Sequence, residues 1–246
     1  MSKVHNTLFG SISVIGGWYL LHWFIDPIII PSPYESILNT IDLILYDDLL
    51  KHALYSLYRL LSAVGLALLI GVIVGIVLGV NNKADQIISP SIYILFPIPK
   101  AAFLPILFAL FGLGDQSKIF LIFIILIFQV IVTIRGAVKN LSKDLFLSAK
   151  SLGLSTIEIY RHIILPGISP SILTSLRLNV GIGIAVLFFS ETYATKYGIG
   201  YYIMDKWSLI EYVDMYSGIV VLSLIGYLLF RITDFAEKSL CGWAKK

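Results

Sequence analysis

The sequence predicts an all-α integral membrane protein with six transmembrane helices, and three observations support this fold class. Hydrophobic residues occupy 58% of the 246 positions and charged residues only 13%, whereas soluble domains are about half apolar and a quarter charged. The apolar residues form runs long enough to cross a bilayer core of about 30 Å, which takes roughly 20 helical residues. The basic residues are divided unequally between the loops. We therefore expect one transmembrane domain, residues 1–246, in the cell membrane.

The candidate membrane spans are residues 8–25, 54–80, 87–111, 119–134, 172–192 and 216–232. The first has a weak positive flank and no small-residue cleavage site, so we expect an uncleaved anchor. The third contains Pro97 and Pro99, which should break or kink it because proline lacks an N–H and clashes with the preceding turn. After the first span, Pro31 and Pro33 indicate a turn, and residues 34–46 predict a short amphipathic helix on the outer surface.

Lysine and arginine indicate the orientation, because cytoplasmic loops carry their excess. With the N-terminus inside, the inner segments hold ten of them: Lys3, Lys83, Arg135, Lys139, Lys143, Lys150, Arg161, Lys238, Lys245 and Lys246. The outer segments hold four: Lys51, Lys118, Lys196 and Lys206. The first outer loop holds five acidic residues: Asp26, Glu35, Asp42, Asp47 and Asp48. This distribution predicts that both termini are cytoplasmic, which requires an even number of spans.

One inner loop, residues 136–170, is too polar to cross a membrane and too regularly patterned to be disordered. Its apolar residues recur at helical spacing: Leu141, Leu145, Ala149 and Leu152. Gly153 should stop that helix, and the segment from Ser155 to Glu158 has the form of a capping box that starts a second one. Pro166 should end the second helix. We therefore expect two short helices joined at a glycine, which together form a docking surface.

At this loop the sequence resembles the permease subunits of binding-protein-dependent ABC importers. Their loop carries the pattern Glu-Ala-Ala, three residues, Gly, nine residues, Ile, one residue, Leu-Pro. Aligned on the glycine, Leu147 and Ser148 stand in place of the glutamate and the first alanine. The coupling site that the resemblance implies comprises Ser148, Ala149, Lys150, Ser151, Leu152, Gly153, Ile163, Leu165 and Pro166.

Further segments resemble one branch of this family, the nitrate, sulfonate and taurine permeases, which also includes bicarbonate, riboflavin and thiamine-precursor permeases. The resemblance extends across roughly residues 28–238. The segments that carry it are residues 56–60 (SLYRL), 97–100 (PIPK), 111–114 (FGLG), 172–177 (ILTSLR) and 198–201 (GIGY). The substrate class that this branch favours is a small anion, such as nitrate, a sulfonate, taurine or bicarbonate.

The resemblance implies a type I importer permease fold and a homodimer that works with two ATP-hydrolysing subunits inside and a solute-binding protein outside. The residues are consistent with this, because the chain contains no Gly-x-x-x-x-Gly-Lys-Ser/Thr loop for ATP phosphates. We therefore expect a non-catalytic subunit without a cofactor of its own, with ATP and Mg²⁺ bound by the partner ATPases. No nucleic-acid partner is expected. The bend at Gly153 should receive the ATPase, because a glycine lets two backbones approach closely.

Four charged residues fall in or near the apolar spans: Arg59, Lys100, Arg177 and Glu191. A charge at mid-membrane costs on the order of 3 kcal/mol, so such residues tend to face cavities or partners. All four are candidates for the transport pathway, and Lys100 and Arg177 are favoured for an anion. The alternatives are pairing within the bundle, lipid-headgroup contact for Arg177, and snorkelling of Arg59 and Glu191 to the interface.

Weaker features keep two interpretations each. Gly71, Gly75 and Gly79 indicate close helix packing, or a hinge or dimer seam. The outer acidic residues form a solvated face, or Asp47 and Asp48 help to dock a binding protein.

The four histidines are scattered, so no metal site is expected: His5, His22, His52 and His162.

The main alternative function is a secondary transporter or channel subunit that works without an ATPase. Secondary transporters usually have paired repeats with broken helices in both halves, but only one span is visibly broken here. A channel would need a filter-like sequence, and a membrane enzyme would need a convergent polar cluster. Neither is visible in the sequence.

Overall fold

The computed structural model describes the backbone of residues 3–242 and the side chains of residues 9–242, and every regular element in that part is helical. The helices are α1 (Lys3–Phe24), α2 (Pro33–Tyr46), α3 (Leu49–Val80), α4 (Asn82–Leu95), α5 (Leu104–Phe111), α6 (Asp115–Lys139), α7 (Lys143–Ser151), α8 (Thr156–Ile159), α9 (Leu165–Glu191), α10 (Ile199–Ser208) and α11 (Tyr212–Leu240). A 3-10 turn (Lys100–Phe103) precedes α5, and a π-helical turn (Tyr160–Ile164) joins α8 to α9. Lys245 and Lys246, and the side chains of Lys3 and His5, lie outside the described residues.

Within the described residues, four continuous helical segments are long and apolar enough to cross a membrane: Leu49–Val80, Asp115–Lys139, Thr156–Glu191 and Tyr212–Leu240. A fifth candidate is the pair Asn82–Leu95 and Lys100–Phe111, which is bent by 80°. α1 covers the first predicted span but lies partly outside the residues whose side chains are described. The multi-pass helical class is therefore confirmed, and the count of six spans stays a prediction.

The third predicted span is broken where the prolines predict it. α4 ends at Leu95, before Pro97 and Pro99, and the chain turns before α5 begins. Pro99 has no N–H to offer the carbonyl of Leu95 four residues earlier, so the backbone offers this carbonyl only the N–H of Ile98, at 3.4 Å, and leaves room for another donor. The Nζ atom of Lys100 supplies it and donates to the carbonyls of Leu95 and Phe96 at 3.0 and 2.9 Å.

The glycine stripe of α3 lets this helix approach α6 closely. A Cβ atom placed on Gly71 or Gly75 would lie 2.8 Å from the Cβ of its nearest residue on α6. At Gly79 the Cβ of Val138 would be 2.5 Å away. Any larger residue would therefore force the two helices apart, and the packing interpretation of the stripe is confirmed.

Contacts divide the chain into two compact units. One is Met1–Leu57 with Glu191–Ile225, and the other is Tyr58–Ser190 with Gly226–Lys246. In the first unit, α2 begins at the N-cap Ser32, which confirms the short helix predicted after the proline turn. The second unit contains the broken span and the whole inner loop. The expectation of a single domain stays a prediction.

Candidate coupling loop and charged residues of the spans

The first helix of the inner loop, α7, ends in a Schellman motif at Gly153. The N–H of Leu154 donates to the carbonyl of Ala149 at 3.1 Å, and the N–H of Gly153 donates to that of Lys150 at 3.0 Å. Gly153 has φ +76°, a left-handed conformation that costs other residues free energy because their Cβ crowds the backbone. The predicted stop at this glycine is confirmed, and its physical basis is the backbone conformation.

The second helix of the loop begins with the predicted capping box. The Ser155 hydroxyl accepts from the N–H of Glu158, and the Glu158 carboxylate accepts from the N–H of Ser155 at 2.7 Å. The two side chains therefore accept hydrogen bonds from two backbone N–H groups that have no partner within the helix.

The prediction that Pro166 ends this helix is wrong. The helix continues without interruption from Thr156 to Glu191, over 36 residues. The π-helical turn just before the proline explains why: the N–H of Leu165 donates to the carbonyl of Tyr160, five residues earlier. This change of register lets the chain pass a residue that has no N–H and would otherwise clash with the preceding turn.

One face of the loop is buried against the ends of α3 and α6. Phe146, Ile159 and Tyr160 pack against an apolar cluster that includes Ile134, Val138 and Ile164. Ala149, which belongs to the family pattern, is also buried. A displacement of the loop would therefore move the ends of these helices with it.

The opposite face of the loop exposes apolar side chains. Leu147 is 62% exposed, and Leu152 and Ile157 are each 79% exposed. Most of the predicted coupling residues are on the surface too: Ser148, Lys150, Ser151, Leu152, Gly153, Leu165 and Pro166. Ile163 is half-buried. Exposed apolar groups next to a fixed bend are typical of a surface that a partner protein covers.

Both candidate arginines are held by carboxylates in the second unit. The Arg59 side chain is 4% exposed, and its Nε and Nη2 atoms donate to Oδ1 of Asp115 at 2.7 and 2.6 Å. Snorkelling is therefore wrong for Arg59. Arg177 donates to Asp234 and, at 2.6 Å, to Glu237. The pairing interpretation holds for both residues.

Glu191 is fully buried in the first unit, at the end of α9. The Ser56 hydroxyl lies 2.9 and 2.8 Å from its two carboxylate oxygens, and the N–H of Gly200 donates to Oε2 at 2.9 Å. Ser56 also accepts from the N–H of Ile199 at 2.8 Å. Glu191 thus holds the N-terminus of α10, where a carboxylate is favoured by the helix dipole. Snorkelling is wrong for this residue too.

Lys100 differs from the other three candidates. Its ammonium group donates to the two carbonyls at the end of α4 and lies 4.6 Å from the centre of the Phe128 ring. Among the described residues, no carboxylate forms an ion pair with it. An ammonium group has three N–H donors, so one remains for a further acceptor.

The sequence did not reveal the buried cluster around Asp85. Arg135, Lys139 and Ser89 all donate to its carboxylate, although the two basic residues indicated only orientation in the sequence. Lys118, which the sequence placed in an outer segment, is fully buried and donates to the carbonyl of Leu113 at 2.9 Å. For Lys118, a local signal was present: it lies four positions after a Gly-Leu-Gly turn, whose carbonyls a lysine there can reach.

These features define a polytopic helical membrane protein whose inner loop exposes apolar side chains beside a glycine bend, and comparison with known proteins identifies its family. Residues 67–240 match the family of binding-protein-dependent transport system inner membrane components, and the chain belongs to this family. It is 30% identical to the taurine transport system permease protein TauC of Escherichia coli (strain K12), over 89% of this chain and 82% of that protein.

A further relative agrees with this assignment, and a solved structure shares the fold. The nitrate import permease protein NrtB of Leptolyngbya laminosa is 29% identical, over 73% of this chain and 64% of its own length. A chain of the MetNI methionine ABC transporter, solved in inward-facing conformations, superposes with a TM-score of 0.66 at 20% identity, covering 78% of this chain and 95% of that one. The likeness to MetNI concerns the fold, and the predicted type I importer permease fold is confirmed.

Proposed function

We propose that this protein is the membrane-spanning subunit of an ATP-driven importer and forms the pathway for a small anion of the sulfonate, taurine or nitrate type. The observation that carries the proposal is the inner loop. It combines a fixed glycine bend, an apolar face buried against two membrane helices and an apolar face left exposed. The names of the taurine and nitrate relatives support the anion class.

The proposed assembly contains two copies of this chain, two ATP-hydrolysing subunits on the cytoplasmic side and a solute-binding protein outside. ATP and Mg²⁺ bind in the ATPase subunits, and both termini of this chain lie in the cytoplasm. Leu147, Leu152 and Ile157 would be covered by the ATPase. The exposed Leu147 stands where the family pattern has glutamate, so here this contact would be apolar.

In the proposed mechanism, closure of the ATPases pushes the loop and changes the access of the pathway. Two connections would transmit the push. The first is the apolar cluster that joins the loop to the ends of α3 and α6. The second is the continuous helix from Thr156 to Glu191, about 54 Å long at 1.5 Å per residue. The absence of a break at Pro166 makes this helix a suitable lever.

Lys100 is the proposed anion contact in the pathway. Arg59 faces one carboxylate and Arg177 faces two, so neither leaves a net positive charge for a passing anion. Glu191 is negative and holds a backbone turn. Lys100 keeps its charge beside the broken span, and half-helix breaks of this kind often form transporter binding sites.

Reconstitution tests the proposed function. The full-length protein, assembled in proteoliposomes with its cognate ATPase and binding protein, should take up labelled taurine or nitrate only with ATP, and vanadate should stop uptake. The same vesicles with the ATPase omitted are the control. Uptake driven by an ion gradient in that control would instead identify a secondary transporter.

A further inference from the structure

A cavity of about 570 Å³ lies between the inner loop and the ends of the membrane helices. Its apolar lining includes Val80, Val138, Leu141, Phe146, Ile159 and Ile164. Its polar lining consists of Lys139, Lys143, Lys150, Asn82, Thr156 and Tyr160. The cavity is therefore amphipathic, with three ammonium groups and three further polar side chains around apolar walls.

The charge balance of this cavity is positive. No carboxylate is among its described lining residues. Lys139 shares the single carboxylate of Asp85 with Arg135, so these three groups keep one net positive charge. Lys143 and Lys150 form no ion pair with any residue that the structure describes, and both are exposed. An anion entering the cavity would therefore meet at least two uncompensated ammonium groups.

Membrane orientation alone explains an excess of lysines on one side of the membrane, but it does not explain their convergence. Lys83 and Lys238 belong to the same predicted inner set and are exposed, yet neither lines the cavity. Lys143 and Lys150 lie seven residues apart in sequence, two turns of helix, and therefore share one face of the helical loop segment. The hydroxyls of Thr156 and Tyr160 and the amide of Asn82 add hydrogen-bond donors beside them.

We propose that this cavity binds the phosphate group of an anionic ligand, either the headgroup of an acidic phospholipid or a free phosphate. Lysine binds phosphate as a point charge, and basic pockets at the cytoplasmic ends of membrane helices bind acidic headgroups. The apolar walls would accept the glycerol and upper acyl carbons of a lipid. The inference rests on the proposed function only in placing this end of the helices at the cytoplasmic leaflet.

A ligand in this position would link the coupling loop to the membrane helices. Lys143 and Lys150 belong to the α7 segment, whereas Val138 and Lys139 belong to the end of α6. A phosphate bound by both elements would hold them together. The site would thus make coupling sensitive to the lipid or phosphate content at the inner face.

Binding measurements on the purified full-length protein test this proposal without transport or an ATPase, so their outcome is independent of the proposed function. Phosphatidylglycerol and phosphatidylcholine are titrated and bound lipid is followed by native mass spectrometry, while inorganic phosphate is titrated by calorimetry. The test variant is Lys143→Gln/Lys150→Gln. The matched control is Lys83→Gln/Lys238→Gln, which removes two exposed charges outside the cavity.

We expect the test variant to bind phosphatidylglycerol or inorganic phosphate, whichever the unaltered protein binds, about 25-fold more weakly, since each lysine near an acidic surface contributes about fivefold. The control should bind as the unaltered protein does. Loss confined to phosphatidylglycerol identifies the lipid headgroup as the source. Loss of inorganic phosphate binding as well identifies free phosphate. Equal losses in both variants, or no preference for phosphatidylglycerol and no phosphate binding, would overturn the proposal.

Discussion

Two helix ends in the second unit, at Gly153 and at the broken span, satisfy their carbonyls by different means. At Gly153 in the inner loop, backbone N–H groups satisfy the carbonyls of Ala149 and Lys150. At the broken span, the ammonium group of Lys100 satisfies the carbonyls of Leu95 and Phe96. The first bend depends on a backbone conformation, and the second depends on a charge.

The difference follows from the donors that the residues of each bend can offer. In lipid, an unsatisfied backbone group costs several kcal/mol, and the prolines at 97 and 99 cannot donate. The backbone offers one long hydrogen bond, from the N–H of Ile98 to the carbonyl of Leu95 at 3.4 Å, and the Lys100 side chain supplies the shorter ones. In the water-facing loop, the glycine conformation suffices. The loop bend is thus suited to transmit a mechanical push, and the span bend is suited to respond to an anion that competes for Lys100.

The largest effect is expected at the loop bend. Gly153→Val should reduce ATP-driven uptake about tenfold or more, because a β-branched residue at φ +76° is strongly disfavoured. ATP hydrolysis should continue without transport, since the loop no longer presents its leucines in the required geometry. The ratio of uptake to hydrolysis in proteoliposomes measures this uncoupling.

Two variants separate conformation from bulk at this bend. Gly153→Asn should retain most of the coupling, because asparagine tolerates the left-handed conformation. Gly136→Ala places a side chain in similarly open space on a helix without positive φ and should transport normally. If Gly153→Val and Gly136→Ala behave alike, the conformational explanation is wrong.

The second effect is expected at the span bend. Lys100→Met removes the lysine charge at the break, so the KM for the anion should rise about tenfold. This corresponds to about 1.4 kcal/mol, close to the lower end of the range for one hydrogen bond to a charged group. Lys100→Arg should keep KM within about twofold because it keeps the charge. A lower melting temperature with an unchanged KM would limit Lys100 to capping α4.

The bends themselves could be predicted from the sequence, because their determinants are local. Gly153, the capping box and Pro97 each act on residues within about one turn of helix. The continuation of the helix through Pro166 was not predicted, because a π-helical turn depends on how the neighbouring residues pack. The hydrogen bonds of Lys100 were missed as well, although they too are local, because the charge suggested a pathway first.

The ion pairs and the buried hydrogen bonds of Glu191 could not be predicted, because their partners are distant in sequence. Arg135 and Asp85 are 50 positions apart, and Ser56 and Glu191 are 135 apart. Only the packing of whole helices brings such groups together. The sequence identified which charges were unusual for a membrane span, and the structure was needed to identify which of them are neutralised.

The smallest effect is expected at the capping box that follows the loop bend. Ser155→Ala removes the acceptor for the N–H of Glu158 and should lower the free energy of unfolding by about 1 kcal/mol. Coupling should change little, since the Gly153 conformation is unaltered. Thermal unfolding of the purified protein measures the loss, and Ser151→Ala, an exposed serine outside the capping box, is the control. An equal loss in both variants would show that the box contributes nothing specific.

Side-directed labelling tests most directly whether the loop is a cytoplasmic coupling surface. Leu152→Cys, in a Cys241→Ser background, places one thiol at a position that is 79% exposed. A membrane-impermeant maleimide should label it in inside-out vesicles, with much less labelling when the ATPase is bound. Labelling from the outside of intact cells would contradict the account, because no cytoplasmic ATPase could then reach the loop.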